Sequence, residues 1–196
     1  MGQNKLYPIF LKLENLHTLL VGGGNVGLEK LIALLKNSPE ANITIVADHV
    51  CDQVVAIIDK NPNIRLLKRK FFISDLEGKD LLILATDDQE LHKRVKIEAR
   101  KKRILTNVAD TPDLCDFYLG SVVQKGDLKI GISTNGKSPT FAKRFREYME
   151  EYLPDTIQDL VDNLNTFRNN LKGDFQFKVK ALNELTASFL TKKPTI

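Results

Sequence analysis

An α/β fold, a parallel sheet covered by helices and followed by a small β-rich segment and a helical tail, is what this sequence predicts. Three observations carry the prediction. From His17 onward, short apolar runs alternate with longer amphipathic stretches, the pattern that builds a parallel sheet with helices on both faces. A glycine-rich turn, VGGGNVG, joins the first run to the first amphipathic stretch. Beyond Asp110 the rhythm changes to two adjacent β-rich runs and then to helix alone.

The first run is TLLVGG at 18–23, and the helix-period stretch 26–36 follows it, with Leu28, Leu31, Ile32 and Leu35 recurring at three- and four-residue steps. Asn37, Ser38 and Pro39 stop that helix. Four further strands are expected: ITIVA at 43–47, IRLLK at 64–68, LLILAT at 81–86 and ILTNVA at 104–109. Continuous apolar strands of this kind are buried on both sides. FYLGSVVQ and LKIGIST are separated only by Lys125, Gly126 and Asp127, so a hairpin is the economical reading. Ser138 and Pro139 supply an N-cap and a first-turn proline, and Phe141, Phe145, Met149 and Tyr152 form an apolar stripe on the helix they start. Pro154 ends it. Residues 155–193 read as two more helices broken near Gly173, with Leu160, Leu164, Phe167 and Leu171 on one face of the first.

With 196 residues the chain suits one full domain plus an appendage. A hydrophobic share of 42% beside 28% charged residues excludes disordered and fibrous classes. The net charge of +4 is modest, and its only basic cluster is KRVKIEARKKR at 93–103, so nucleic acid is not expected as a partner. That stretch reads as the solvated face of a helix, or as a contact for an acidic partner. Cys51 and Cys115 lie far apart without metal-ligand spacing, which suggests reduced thiols in a cytoplasmic protein. With only three His besides, no bound metal is expected. No apolar run approaches the roughly 20 residues that span a bilayer, and MGQNKLYPIF lacks the apolar core of a signal peptide. The Gly2 start lacks the Ser or Thr that myristoylation wants at the sixth position, where Leu6 stands.

In the glycine-rich turn, Gly22, Gly24 and Gly27 have the spacing G-x-G-x-x-G, after a strand and opening a helix. The first glycine makes the tight turn, the second lets the backbone approach a pyrophosphate, and the third permits close packing of helix on strand. The helix amino terminus then faces the negative charge. This is the signature of a Rossmann-type dinucleotide-binding sheet. An acidic residue is expected about 20 residues further on to hold the ribose hydroxyls of NAD, and Asp48 stands there. Asp48 equally suits a cap for a helix beginning near Val50. If it binds ribose, NAD is favoured over NADP, because a phosphate there would meet a carboxylate. His49 beside it suits the adenosine pocket or a solvated loop.

Ligands of such sheets sit outside the carboxyl ends of the strands. That places Ala85, Thr86 and Asp87 near the dinucleotide, with Asn107, Val108 and Asp110 where nicotinamide and substrate would meet. Asp87 and Asp88 also suit caps for the following helix.

The combination of LYPIFLKLE, VGGGNVG, ATDD, NVADTPDLCDF and ISTNGKSPTFAKRFREYME resembles the siroheme synthase amino-terminal family, over nearly the whole chain up to about Pro154. The STNGKSP segment following the NVAD segment is far more specific than the glycine motif. The resemblance implies three parts: a Rossmann domain at 1–116, a dimerisation segment at 117–152 that exchanges elements with its partner in a homodimer, and a helical domain at 153–196. It implies oxidation of precorrin-2, a tetrapyrrole bearing eight carboxylates, to sirohydrochlorin with NAD, and in bifunctional relatives insertion of Fe(II) as a second substrate. Matched by position, the family's essential acidic residue falls on Asp110 and its dinucleotide contacts on Asn25, Val26, Asp48 and His49. Ser133, Thr134, Lys137 and Ser138 occupy the region that borders the substrate cleft in relatives.

The residues themselves leave alternatives beside these roles. A carboxylate at Asp110 would accept a proton as hydride leaves the macrocycle, and Asp110 before Thr111 and Pro112 also reads as a turn residue. Hydroxyls and a lysine at 133–138 suit propionate and acetate groups, while Ser138 suits a helix cap. Arg144 and Arg146 suit either carboxylates or solvent. One departure is Gly120, between Leu119 and Ser121, where relatives commonly carry a proline. Three rival functions stand beside the bifunctional enzyme: a dehydrogenase that leaves chelation to a separate protein, a noncatalytic sensor of NAD, and a small-molecule dehydrogenase of different specificity.

Overall fold

The computed structural model describes residues 3–187. They form two compact units, one made of residues 3–120 with Thr134–Lys137, the other of Ser121–Ser133 with residues 138–187.

In the first unit a 3₁₀ turn (Leu13–Asn15) leads into β1 (His17–Gly23), α1 (Asn25–Asn37), β2 (Asn42–Val50), α2 (Asp52–Ile58), β3 (Ile64–Leu67), β4 (Leu81–Leu84), α3 (Gln89–Lys101) and β5 (Leu105–Val108). The five strands pair in the order β3-β2-β1-β4-β5, every pair parallel. Alternation along each strand divides the core into two layers, since successive side chains point to opposite faces. Leu20, Ile43, Ile45 and Ile83 meet Leu31 and Leu34 of α1 and Val54 of α2 on one face. Leu19, Val21, Val46, Leu82 and Leu84 meet Val95 and Ala99 of α3 on the other. Each fully buried Leu or Ile contributes about 1.5–3 kcal/mol against leaving it exposed. Because the chain leaves β1 toward β2 and later returns to β4 on its other side, the switch point lies between the carboxyl ends of β1 and β4. There the loops part and open a crevice.

The expected strands are all present, with one correction at β2. It continues to Val50, so Asp48 and His49 lie in the strand's last turn of pairing and not beyond it. The cause is a register irregularity between Val21 and Gly23 that pairs Gly23 with Val50 and lets Cys51 N–H donate to Gly23 O at 3.0 Å. α2 therefore starts at Asp52 with Cys51 as its N-cap residue, and Asp48 caps nothing there.

The second unit holds the hairpin β6 (Ser121–Lys125) and β7 (Leu128–Ile132), then α4 (Pro139–Tyr152), α5 (Ile157–Asn170) and α6 (Phe175–Thr186). The hairpin register pairs Lys125 with Leu128, and Gly126 turns the chain at a φ of 56°. Gln158 of α5 holds that turn: its Oε1 accepts Asp127 N–H at 2.7 Å and its Nε2 donates to Asp127 Oδ2 at 3.0 Å. The stripe expected on α4 is rotated. Phe141, Phe145, Tyr148 and Tyr152 stack in series, centroids 5.8, 6.4 and 6.0 Å apart, and all four are exposed, while the buried residue of α4 is Ala142. Met149 is half-buried and off the ladder. A two-stranded sheet is too small to cover a four-ring stripe, so the rings cover one another. Among the described residues no helix is long and apolar enough to cross a membrane.

Candidate active site

The glycines of the first turn divide by what surrounds them. Gly22 has a φ of 113°, and a Cβ there would lie 2.3 Å from Ala85 O at the end of β4. A Cβ on Gly27 would lie 2.3 Å from Gly22 O, and one on Gly23 would lie 2.8 Å from His49 O. Gly22 thus allows β1 to pass β4, and Gly27 lets α1 lie against the turn. Gly24 differs, with nothing within 4 Å of its Cβ position. It is the N-cap residue of α1, makes no side-chain cap and is followed by no acidic residue in the first turn. The first helical bond is Leu28 N–H to Gly24 O at 2.9 Å. The N–H groups ahead of it have no partner within the helix, Gly24, Asn25 and Val26 are exposed, and the positive end of the helix lies there. This is a cradle sized for backbone approach to an anion, as a dinucleotide pyrophosphate requires.

The ends of the neighbouring strands complete the same sheet edge. Asp48 and His49 are exposed at the end of β2, with Asp48 Oδ1 accepting His49 N–H at 3.0 Å. Past β4, Asp88 caps α3 by accepting Leu91 N–H at 2.9 Å, and Asp87 remains an exposed carboxylate outside the cap. Thr86 Oγ1 lies 2.9 Å from Nε2 of His92. The sequence reading passed over His92. It is 3% exposed, its Nδ1 is buried without a partner among the described residues, and burial holds its imidazole below the ordinary range although Asp88 and Asp87 pull the other way. Its spacing from Thr86 carried no known motif, so only contact across the turn reveals it.

At the end of β5 the predicted residues have different parts. Asn107 is buried, and its Nδ2 donates to Phe117 O at 2.9 Å. Val108 N–H donates to Cys115 Sγ at 3.2 Å, and the thiol returns a bond to Val108 O at 3.3 Å. Burial pushes that thiol's pKa up, which makes Cys115 a neutral hub and not a nucleophile. Asp116 closes the loop, its Oδ2 accepting Thr106 N–H at 2.9 Å and Lys96 Nζ at 2.5 Å. Inside this braced loop Asp110 is exposed at a φ of 56°, a left-handed conformation uncommon outside glycine and often found where a side chain is aimed for function. The turn expected at Asp110 is present, and it leaves the carboxylate exposed.

Thr134–Lys137 belong to the first unit as a tight turn, with Asn135 and Gly136 at φ of 55° and 74° and Lys137 N–H donating to Thr134 O at 3.1 Å. Ser133 and Ser138 belong to the second unit. Ser138 caps α4 by accepting Phe141 N–H at 3.2 Å. Arg144 and Arg146 pair with Glu147 and Glu150 of their own helix at 2.9 and 3.3 Å. Among the described residues no group of three His, Cys, Asp or Glu is placed to hold a metal ion.

Residues 9–121 match the family described as putative NAD(P)-binding, and residues 125–152 match the sirohaem biosynthesis protein central family. A siroheme synthase of Methylococcus capsulatus is 39% identical over 154 residues, covering 79% of this chain and 32% of that protein. One from Pseudoalteromonas translucida is 36% identical over 169 residues, covering 86% and 35%. The chain thus spans about a third of the length of the curated relatives it matches. A solved structure of SirC, a precorrin-2 dehydrogenase, superposes with a TM-score of 0.73 at 25% identity, over 92% of this chain and 89% of that one. The glycine cradle, the strand order and a match over more than half the sequence agree, and the chain belongs to the putative NAD(P)-binding family, in the form that precedes a sirohaem biosynthesis central segment.

Proposed function

We propose that this chain is a cytoplasmic, homodimeric precorrin-2 dehydrogenase that uses NAD. The observation that carries the reading is one sheet edge with two features: a cradle open at Gly24 and a carboxylate, Asp110, held in a left-handed turn two strands away. Bound NAD supplies the hydride acceptor. The first-turn N–H groups of α1 bind the pyrophosphate, and Asp48 takes the ribose hydroxyls, a placement that disfavours a 2′-phosphate. Asp110 accepts the proton released as the macrocycle is oxidised to sirohydrochlorin. Asn107, Val108 and Cys115 keep the Asp110 turn rigid. Lys137 and the hydroxyl of Thr134 bind substrate carboxylates. Residues 117–152 serve as the dimerisation segment, Fe(II) is a second substrate, and the helical domain is assigned to residues 153–196, of which 188–196 lie outside the described residues.

NADH formation from precorrin-2, followed spectroscopically, tests this directly. The Asp110→Ala variant is expected to keep its fold and its NAD affinity while turnover falls by about 100-fold or more, the scale of a lost general base. Unchanged turnover removes Asp110 from the mechanism. Siroheme formed from sirohydrochlorin and Fe(II) without NAD, above the uncatalysed rate, supports chelation; its absence leaves a dehydrogenase alone.

A further inference from the structure

Among the described residues of the first unit, His92 is the one ionisable side chain that is nearly sealed from solvent yet not fully bonded. It lies in the first turns of α3, 3% exposed, with Nε2 2.9 Å from Thr86 Oγ1 and Nδ1 buried without a partner among the described residues. Thr86 sits at the switch point: its Cγ2 would lie 3.2 Å from a Cβ on Gly22, and the preceding carbonyl of Ala85 is what excludes that Cβ. The contact to His92 is the only bond its hydroxyl makes among the described residues.

Three protonation patterns are open to this ring. An imidazolium would bury a charge with one N–H unmatched, and burial disfavours it even with Asp87 and Asp88 nearby. A neutral ring protonated at Nδ1 would bury an N–H with no acceptor among the described residues, and orphaned buried N–H groups are rare. A neutral ring protonated at Nε2 leaves only a lone pair unmet. In that last pattern the Nε2–H bond points at Thr86 Oγ1, which must accept it. A hydroxyl has one proton and two lone pairs, so Thr86 keeps its own proton available.

We infer that His92 is a positioning residue of the dinucleotide site: it donates from Nε2 to Thr86 Oγ1 and thereby commits the Thr86 hydroxyl to donating its proton to an oxygen of the bound dinucleotide. The inference rests on the reading of this edge as a dinucleotide site and adds the direction of one hydrogen bond within it. A threonine bonded by an acceptor would have spent its proton on the histidine. Here the site offers a donor beside the backbone donors of α1, all of them matched to an anionic, oxygen-rich ligand.

The test has two readouts on the whole chain. Long-range ¹H–¹⁵N correlation on the labelled, ligand-free protein reads the His92 tautomer, and Nε2–H is expected. Calorimetric titration with NAD then compares Thr86→Val, His92→Phe and the double variant. Each single change is expected to weaken binding by about tenfold, the scale of one hydrogen bond to a charged or strongly polar group, and the double variant by no more than either alone. Thr86→Ser and His92→Gln, which keep a hydroxyl and a donor, are expected to recover most of the affinity. An Nδ1–H tautomer, Thr86→Val binding as wild type, or single effects that multiply in the double variant would each overturn the inference. If His92→Phe does not fold, the tautomer and the Thr86→Val and His92→Gln titrations decide. A wild-type chain that binds neither NAD nor NADP sinks the dinucleotide reading and this inference with it; NAD binding with an indifferent Thr86 sinks this inference alone.

Discussion

The two units of this protein bury their apolar residues very differently. Among the described residues every buried hydrophobic side chain except Val123 and Ala142 belongs to the first unit, where two layers close on a five-stranded sheet. The second unit has a two-stranded sheet, three helices and a ladder of four exposed aromatic rings. A unit that closes on its own core is rigid enough to hold glycines and carboxylates in place. One that leaves rings uncovered suits covering by another surface, since contiguous exposed apolar patches mark interaction sites. This is why the dinucleotide edge falls on the first unit, and why the proposed dimer is assigned to the second.

Two glycines sharpen the contrast most. Gly22→Ala places a Cβ 2.3 Å from Ala85 O at a φ of 113°, and it is expected to lower stability by about 3 kcal/mol or more and to abolish NAD binding. Gly131→Ala, in β7 of the second unit, adds a methyl with nothing within 4 Å of it. Here stability is expected to change by less than about 1 kcal/mol, in either direction. Denaturant titration of both variants checks this, and equal losses would erase the distinction between the units.

Next in size is the aromatic ladder. Replacing Phe145 and Tyr148 by Ser together is expected to shift the mass measured by sedimentation from dimer toward monomer at micromolar concentration, with the unfolding transition of the first unit kept. An unchanged dimer mass, or a monomeric wild type, would remove the ladder from the interface.

The smallest effect is one of pH and belongs to the first unit. The folded protein holds His92 below its ordinary pKa, so the unfolded chain binds more protons in the window just below about 6.5. Stability from this group is therefore complete above that pH and is lost as pH falls through the window toward the folded value. Denaturation midpoints of wild type and His92→Gln are expected to converge as pH drops from 7 to 5. Parallel curves would mean that His92 does not titrate with folding.

Much of this fold is written in the sequence. The five strands, the hairpin around Gly126, the Ser138 cap and the breaks at Pro154 and Gly173 follow from local chemistry: apolar runs, φ freedom and missing N–H groups act over a few residues. The packing duties of Gly22 and Gly27 were legible for the same reason, because the spacing of that turn is set by backbone sterics. The cap reading of Asp48 is removed by the Gly23–Val50 pairing that extends β2, a contact across 27 positions of chain that no local pattern encodes.

What sequence alone determined, then, is the order and type of the elements and the glycine-rich corner between β1 and α1, since those depend on neighbours in the chain. Tertiary structure decided which polar groups are free to act. Asn107 was turned inward to Phe117, Asp110 was set in a left-handed turn braced by Cys115, and His92 was sealed against Thr86. Burial and hydrogen-bond partnership come from residues brought together by the sheet, and these fix a side chain's charge, tautomer and reach.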